Sequence, residues 1–376
     1  MSLTNLKTIH QKFYISPDES GQRLDLVLVN RFGRFSRKSW QDRILDSQVQ
    51  VNGRKTRSSR KMNPGDEVAY QFDEMPEPDV ATNYSILFEN SELLIIDKPA
   101  NLPVHPSGIY NRNTLLGLLR LERGEQFVAY FANRLDRETS GVIALAKTPT
   151  AAKALVAALN KNTDTGLQHD VVRPLKKNHW GGKPPREIGL DDLQSGPSSP
   201  GYGIPQRLPL KEYLVCVEGD FPEQYDANGF LGKPGNSKVH KKMFFDHESF
   251  EGAQSSRTFF TKVSTGRDTI GEISMLRAFL FTGRTHQIRA TLCSLGFPVI
   301  GDRLYGFDET NYLRFIADDE RADDLRRLRL NRTALHAHRL KFYWQKEALE
   351  FIAPLPADLQ LLNSEKGIQF DENRKS

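Results

Sequence analysis

The sequence predicts an α+β protein, mixed and mostly antiparallel in its larger part and preceded by a small α/β module. Three observations predict it. Short apolar or alternating runs of strand length are interleaved with helix-length segments; heptads, internal repeats and a glycine-rich dinucleotide pattern are lacking; and 376 residues exceed the roughly 100–200 of one domain. Composition is that of a chain with a sizeable core, 38% hydrophobic and 26% charged, and no apolar run approaches the ~18 residues of a membrane span. The first twenty residues carry no apolar signal-like stretch, which predicts a cytoplasmic protein without membrane contact. Residues 1–21 read as an extension, 22–72 as the small module, 73–83 as an acidic, proline-bearing linker, 84–361 as the larger domain, and 362–376 as a tail.

In the small module, Asp25–Arg31 and Ser36–Leu45 read as two helices joined by a turn at Gly33, with Ser36 as an N-cap. Gln48–Asn52 alternates apolar and polar residues and runs into Asn52-Gly53, a hairpin signal; Glu67–Phe72 reads as a further strand after Asn63-Pro64-Gly65. The net charge of the whole chain is +5, yet residues 22–72 alone hold 11 basic residues against 5 acidic ones. Arg37, Lys38 and Arg43 lie near one helical face, and Arg54, Lys55, Arg57, Arg60 and Lys61 decorate the hairpin. Such a surface can neutralise several phosphates, so RNA is the expected partner.

In the larger domain, Ser85–Phe88 and Leu93–Ile96 read as strands, the second ended by Asp97-Lys98-Pro99. Val142–Ala146 is a buried-strand run entered through Thr139-Ser140-Gly141, which places Asp136 in a loop at the strand's edge. Arg134 and Arg137 flank that carboxylate and favour its ionised form, as a nucleophile or base requires; taken alone, a structural ion pair is the commoner meaning. Residues 161–208, rich in Gly, Pro and Ser, read as an insertion whose basic residues (Arg173, Lys176, Lys177, His179, Lys183, Arg186) are solvated loop. Cys216 and Cys293 read as buried small apolar residues. His336 and His338 are taken to lie on opposite faces of a strand. With no His, Cys or carboxylate cluster at ligand spacing, no metal is expected.

The stretch Arg134-Leu135-Asp136-Arg137-Glu138-Thr139-Ser140-Gly141 resembles the H-R-L-D-x-x-T-S-G motif of RluA-type pseudouridine synthases, with Asn133 where the usual pattern has His. Leu93–Pro106, Lys211–Gly219 (K-x-Y-x-x-x-V-x-G) and Thr282–Arg289 (T-G-R-x-H-Q-I-R) are similar to further blocks of that family, in the same order. So are Ile300-Gly301-Asp302, Tyr305-Gly306 and Leu335-His336-Ala337. The order RLD, SR, VQVNGR, PGDEV from Arg23 to Tyr70 resembles the S4 RNA-binding domain. The resemblance implies a pseudouridine synthase catalytic domain behind an S4 domain, cofactor-free and monomeric. Asp136 would be the catalytic carboxylate, Arg289 its salt-bridge partner and Tyr213 the ring packed on the target uracil. Arg134, Leu135, Arg284 and His286 would be substrate-binding, with Arg134 filling the stack vacated by a flipped base.

Isomerising uridine requires the N1–C1′ bond to break, the uracil to rotate and C5 to bond to C1′. One carboxylate can serve by attacking C1′, by adding to C6 or by removing a C2′ proton, and the sequence does not choose. Large-subunit ribosomal RNA is the substrate this reading favours, with tRNA second. A non-catalytic RNA-binding assembly factor of the same fold is a distinct alternative. A hydrolase using Asp136 and Glu138 is disfavoured, since residues two apart in a tight loop rarely oppose each other across a substrate.

Overall fold

The computed structural model describes residues 8–32, 37–73, 77–107, 110–160, 209–233, 239, 241–306, 309–316 and 319–362. The Gly33 turn, the Ser36 cap and the 161–208 insertion lie outside them. The chain divides into two compact units, residues 1–80 with 102–127, and residues 81–101 with 128–376.

In the first unit a four-stranded antiparallel sheet has the order β1 (Thr8–Tyr14), β4 (Glu67–Asp73), β2 (Val49–Val51), β3 (Arg54–Lys55). The strand β1 follows no turn signal and lies in the stretch expected to be an extension; it pairs with β4 along its whole length, Thr8 opposite Asp73 and Tyr14 opposite Glu67. The helices α1 (Leu24–Arg31) and α2 (Arg37–Leu45) bury Leu24, Val27, Leu28, Trp40 and Ile44 against Val49, Val51 and Val68 of the sheet. Residues 102–127 contribute α3 (Leu115–Arg123), whose N-cap Thr114 accepts the Gly117 N–H at 3.0 Å.

The second unit is built on one large mixed sheet. Its path runs β11 (Phe244–Asp246), β10 (Gln224–Gly232), β12 (Gln254–Arg267), β13 (Glu272–Leu280), β9 (Leu210–Glu218), β14 (Leu335–Trp344), β8 (Ser140–Ala146), β6 (Leu93–Lys98), β5 (Ser85–Glu89). Off this path, β7 (Tyr130–Phe131) pairs with β8, and β15 (Glu347–Ile352) with β14. Every pairing is antiparallel except β14 with β8, so the unit is α+β with a mostly antiparallel sheet.

Every residue of β8 is buried, which is why that strand reads as an unbroken apolar run. The helix α4 (Pro149–Asn160) lays Ala151, Leu155 and Leu159 over β8 and β14. A second core gathers Val215, Val217, Phe260, Leu276 and Ala278 of the sheet under Ile288 and Leu292 of α5 (Gln287–Ser294), with Leu359 and Leu362 of α8 (Ala357–Leu362). Two short helices, α6 (Glu309–Ile316) and α7 (Ala322–Leu328), precede β14. Of the two cysteines, Cys216 is buried as expected, but Cys293 is half-exposed on α5.

The register around β14 places the site. His336 opposes Ser140 of β8 on one side and Leu214 of β9 on the other, and Tyr213 opposes Ala278 of β13. The loop before Ser140 therefore emerges two strands from Tyr213.

Candidate active site

Asp136 lies in the loop between β7 and β8, and the backbone holds that loop at both ends. Ahead of it, Asn133 Oδ1 accepts the Ala144 N–H at 2.9 Å, so the side chain standing at the motif's His position extends the β7–β8 ladder by one step. Behind it, the Thr139 N–H donates to the Asp136 carbonyl at 3.1 Å, and the Ser140 hydroxyl pairs with His336 Nδ1 at 2.9 Å. Ser140 and Gly141 belong to β8 itself rather than to an entry turn. Gly141 has φ 108°, and a Cβ there would stand 2.2 Å from the Ala337 carbonyl oxygen. Only glycine lets β8 lie this close to β14. Beneath the loop, buried Lys98 donates to the carbonyls of Pro99 (2.7 Å) and Arg137 (3.3 Å). Burial lowers its amine to about 7, against the pull of Glu138 and Asp136.

Arg289 comes from α5. The turn into that helix is fixed by buried Gln287, whose Oε1 accepts from the Thr282 hydroxyl (2.8 Å) and the Arg284 N–H (2.9 Å). Its Nε2 donates to the Arg257 carbonyl (3.0 Å) and the Thr258 hydroxyl (2.9 Å) on β12. His286 takes the left-handed conformation, φ 55°, at the N-cap. Thr282 and Gln287 of the T-G-R-x-H-Q-I-R block are thus the clips that aim Ile288 into the core and Arg289 at the loop.

Arg289 Nη1 donates to Asp136 Oδ2 at 2.6 Å. Its Nε and Nη2 grip both oxygens of Asp302 at 2.6 and 2.9 Å. His286 Nε2 lies 3.9 Å from Asp136 Oδ1. The Tyr305 hydroxyl accepts the Met243 N–H at 2.9 Å and is 2.9 Å from His286 Nδ1. It can then donate to Nδ1, which leaves the imidazole proton on Nε2, toward Asp136. Burial pushes the Asp136 carboxyl up, but Arg289, His286 and Arg134 outweigh it and hold it below its ordinary value. Burial and the nearby Arg289 lower His286, so it is neutral at neutral pH. Burial, with Asp136 adding to it, pushes the Tyr213 phenol up and keeps it protonated.

Asp136, Tyr213, His286 and Arg289 line one cleft of about 380 Å³, within the roughly 300–1,000 Å³ of ligand sites. Arg134, Leu135, Asp136, Tyr213, Arg284, His286 and Arg289 all border it, so the cleft brings together all seven side chains assigned to catalysis or substrate binding. Arg134 is exposed at the rim. The exposed Arg284 is steered by an Nε donation to the Ser255 carbonyl at 3.0 Å.

The model of the family described as RNA pseudouridylate synthase matches residues 92–165, which hold the Asp136 loop. Against the mitochondrial tRNA pseudouridine(32) synthase of Saccharomyces cerevisiae the chain is 27% identical over 286 residues, 75% of this chain and 50% of that protein. The chain thus spans only half the length of the yeast relative. Against the ribosomal large subunit pseudouridine synthase D of Vibrio parahaemolyticus it is 29% identical, covering 92% of this chain and 91% of that one. The solved structure of human RNA pseudouridylate synthase domain containing 1 is 20% identical with a TM-score of 0.48, covering 74% and 86%. The chain is thus similar to RNA pseudouridine synthases, through the family model over the Asp136 loop and through relatives under 30% identical over most of its length.

Two residues at the site were given no role from the sequence. Asp302 is fully buried and engages Arg289 on two atoms; it stood in the Ile300-Gly301-Asp302 block, which gave it no role. Lys211 lines the cleft two residues before Tyr213 on β9 and has no hydrogen-bond or ion-pair partner among the described residues; burial lowers its amine. Its place in K-x-Y was the available signal, since residues two apart on a strand share a face.

That same rule corrects the histidine expectation. His336 and His338 lie with ring centroids 6.0 Å apart rather than on opposite faces, and both donate to the Ala353 carbonyl, His336 from Nε2 (3.2 Å) and His338 from Nδ1 (2.8 Å). The ladder between β14 and β9 shifts register between His336 and Arg339. Among the described residues no three His, Cys, Asp or Glu side chains gather in a way that could hold a metal ion.

In the first unit the eight basic candidates separate into two sets. Arg37 donates to Asp25 (3.0 Å), Lys38 to Asp42 (2.7 Å), Arg43 to Gln48 (2.9 Å) and Arg60 to Asp66 (3.4 Å). Arg54, Lys55, Arg57 and Lys61 are exposed without an ion-pair partner among the described residues. Four of the five hairpin cations, and none of the helical ones, are the unspent charge among the described residues.

Proposed function

We propose that this protein isomerises specific uridines of structured RNA to pseudouridine, with large-subunit ribosomal RNA as substrate. The observation that carries the reading is the Asp136–Arg289 pair, whose carboxylate keeps about 37% of its surface open to a cleft that Tyr213 also lines. A stacked uridine cannot present its sugar to Asp136, so the nucleotide is flipped at a cost of a few kcal/mol. Arg134, exposed at the rim, takes the vacated place in the stack. Tyr213 lies against the uracil and holds it while the N1–C1′ bond is broken and C5 is joined to C1′. Asp136 acts ionised, at C1′, at C6 or on the C2′ proton. The product keeps every atom of the uridine except that C5 gives up a proton and N1 takes one from the site or solvent, so no group donor is required.

The ribosomal assignment is supported by the relative from Vibrio, which aligns over 91% of its length. A tRNA substrate is the second reading, favoured by the printed specificity of the yeast relative. The first unit serves as an S4-type RNA-binding domain: its two helices and Asn52-Gly53 hairpin follow that order, and Arg54, Lys55, Arg57 and Lys61 are placed to meet phosphates. The protein acts as a monomer.

Purified protein incubated with ribosomal RNA and tRNA transcripts, followed by carbodiimide-dependent reverse-transcription mapping, tests this. New stops in ribosomal RNA are expected. Stops in tRNA alone would move the assignment to the second reading, and binding without stops on any RNA would leave a non-catalytic factor.

A further inference from the structure

We propose that Asp302 is a positioning residue, which holds the guanidinium of Arg289 by one edge so that its remaining amine faces Asp136 and sets that carboxylate's ionisation. The inference rests on the reading of Asp136 as the catalytic group. Arg289 meets two carboxylates of unlike character. Asp302 is wholly buried, while Asp136 remains open to the cleft. The edge Nε–Nη2 is spent on Asp302 in a two-point fork, and only Nη1 is left for Asp136. A guanidinium held on two atoms cannot swivel about its long side chain, so the position of Nη1 is fixed before substrate arrives.

Asp302 is itself immobilised. Its Oδ1 accepts the N–H groups of Leu304 and Tyr305, both at 3.0 Å. It follows Gly301, where φ is 73° and a Cβ would stand 1.9 Å from the Arg332 carbonyl oxygen. Tyr305 in turn carries the hydroxyl paired with His286 and lies under the Arg289 guanidinium, 5.1 Å from centroid to Cζ. One short turn therefore orients both side chains of α5 that face Asp136.

Two effects of removing the Asp302 charge have opposite signs. If Asp302 acted only as a nearby negative charge, its loss would let Arg289 lower Asp136 further. If it positions Arg289, its loss lets the guanidinium move away, and Asp136 rises in a site that disfavours its charge. The other groups that bear on Asp136 are His286 from the start of α5, Arg134 from its own loop, Lys98 from β6, Tyr213 from β9 and Tyr305 from the Asp302 turn. Asp302→Asn replaces none of these side chains, but it removes a negative charge that raises both His286 and Tyr305.

The test is the titration of Asp136 by NMR on the full chain labelled at aspartate Cγ, its signal assigned by its absence in Asp136→Asn. In Asp302→Asn, folded by thermal melting, the midpoint is expected to move up by about one pH unit or more, and the acid limb of kcat to move with it. A midpoint that stays or falls overturns the proposal. Should Asp302→Asn not fold, Asp302→Glu carries the test, since it keeps the charge but reaches one methylene further; positioning predicts an upward shift and a charge-only role predicts none. The titration needs no substrate, so a protein inert on every RNA would refute the proposed activity while leaving this measurement to decide the role of Asp302.

Discussion

Asp136 and Arg289 stand 153 residues apart in the chain and 2.6 Å apart in space. Their pairing was legible only through the resemblance of the two contiguous blocks that hold them, R-L-D-x-x-T-S-G and T-G-R-x-H-Q-I-R, to a known family. The role of Asp302 was not legible, although its block was, because its partner is thirteen residues away on another element and only tertiary structure joins them. With Asp136 held below its ordinary value, its ionised form is present above that value and lost as pH falls through it. The single-turnover rate is therefore expected to be flat in the Asp136 contribution from about pH 5 to 8, with its acid limb below the usual carboxylate value near 3.9. Arg289→Lys keeps a charge but cannot serve two carboxylates at once; the rate should fall by about 10²-fold or more while RNA affinity changes little. A rate within threefold of the parent would contradict the geometry.

At the scale of elements, the apolar runs of β6 and β8 announced buried strands, and the Asn52-Gly53 turn announced a hairpin. The neighbours of β14 could not be read, because the packing of β8 against it depends on a glycine whose reason is the Ala337 carbonyl on another strand. Gly141→Ala puts a Cβ into that contact at a strained φ, and should cost on the order of 3 kcal/mol or more in chemical denaturation. A loss under 1 kcal/mol would mean that β8 and β14 separate easily. His336 gives the same junction a pH signature. Burial lowers it to about 4, so between roughly pH 6.5 and 4 the unfolded chain binds a proton that the folded chain refuses. Stability is present above that window and lost on descending through it, by about 3 kcal/mol. In His336→Gln this part of the pH dependence should vanish from denaturant midpoints, and its persistence would assign it to another group.

Across the whole molecule, a net charge of +5 says little, and its distribution says more. The sequence located a basic module but did not rank its cations, because acidic neighbours such as Asp25 and Asp42 pair with Arg37 and Lys38 in ways that a charge count does not reveal. If Arg54, Lys55, Arg57 and Lys61 meet phosphates, replacing all four by Gln should flatten the log–log salt dependence of RNA affinity by about 3 and raise KM with little change in kcat. An unchanged slope would remove the hairpin from the interface. The division of labour that follows, affinity from a charged module and selection by a cleft that accepts one extruded nucleotide, depends throughout on chemistry at Asp136.

Release of tritium from RNA carrying [5-³H]uridine tests that chemistry most directly, since joining C5 to C1′ displaces the label. The intact protein is expected to release tritium from its substrate RNA without added nucleotide or metal, and Asp136→Asn to bind the same RNA and release none above background. Equal release from both proteins, or RNA binding with no release from either on ribosomal RNA or tRNA, would contradict the account.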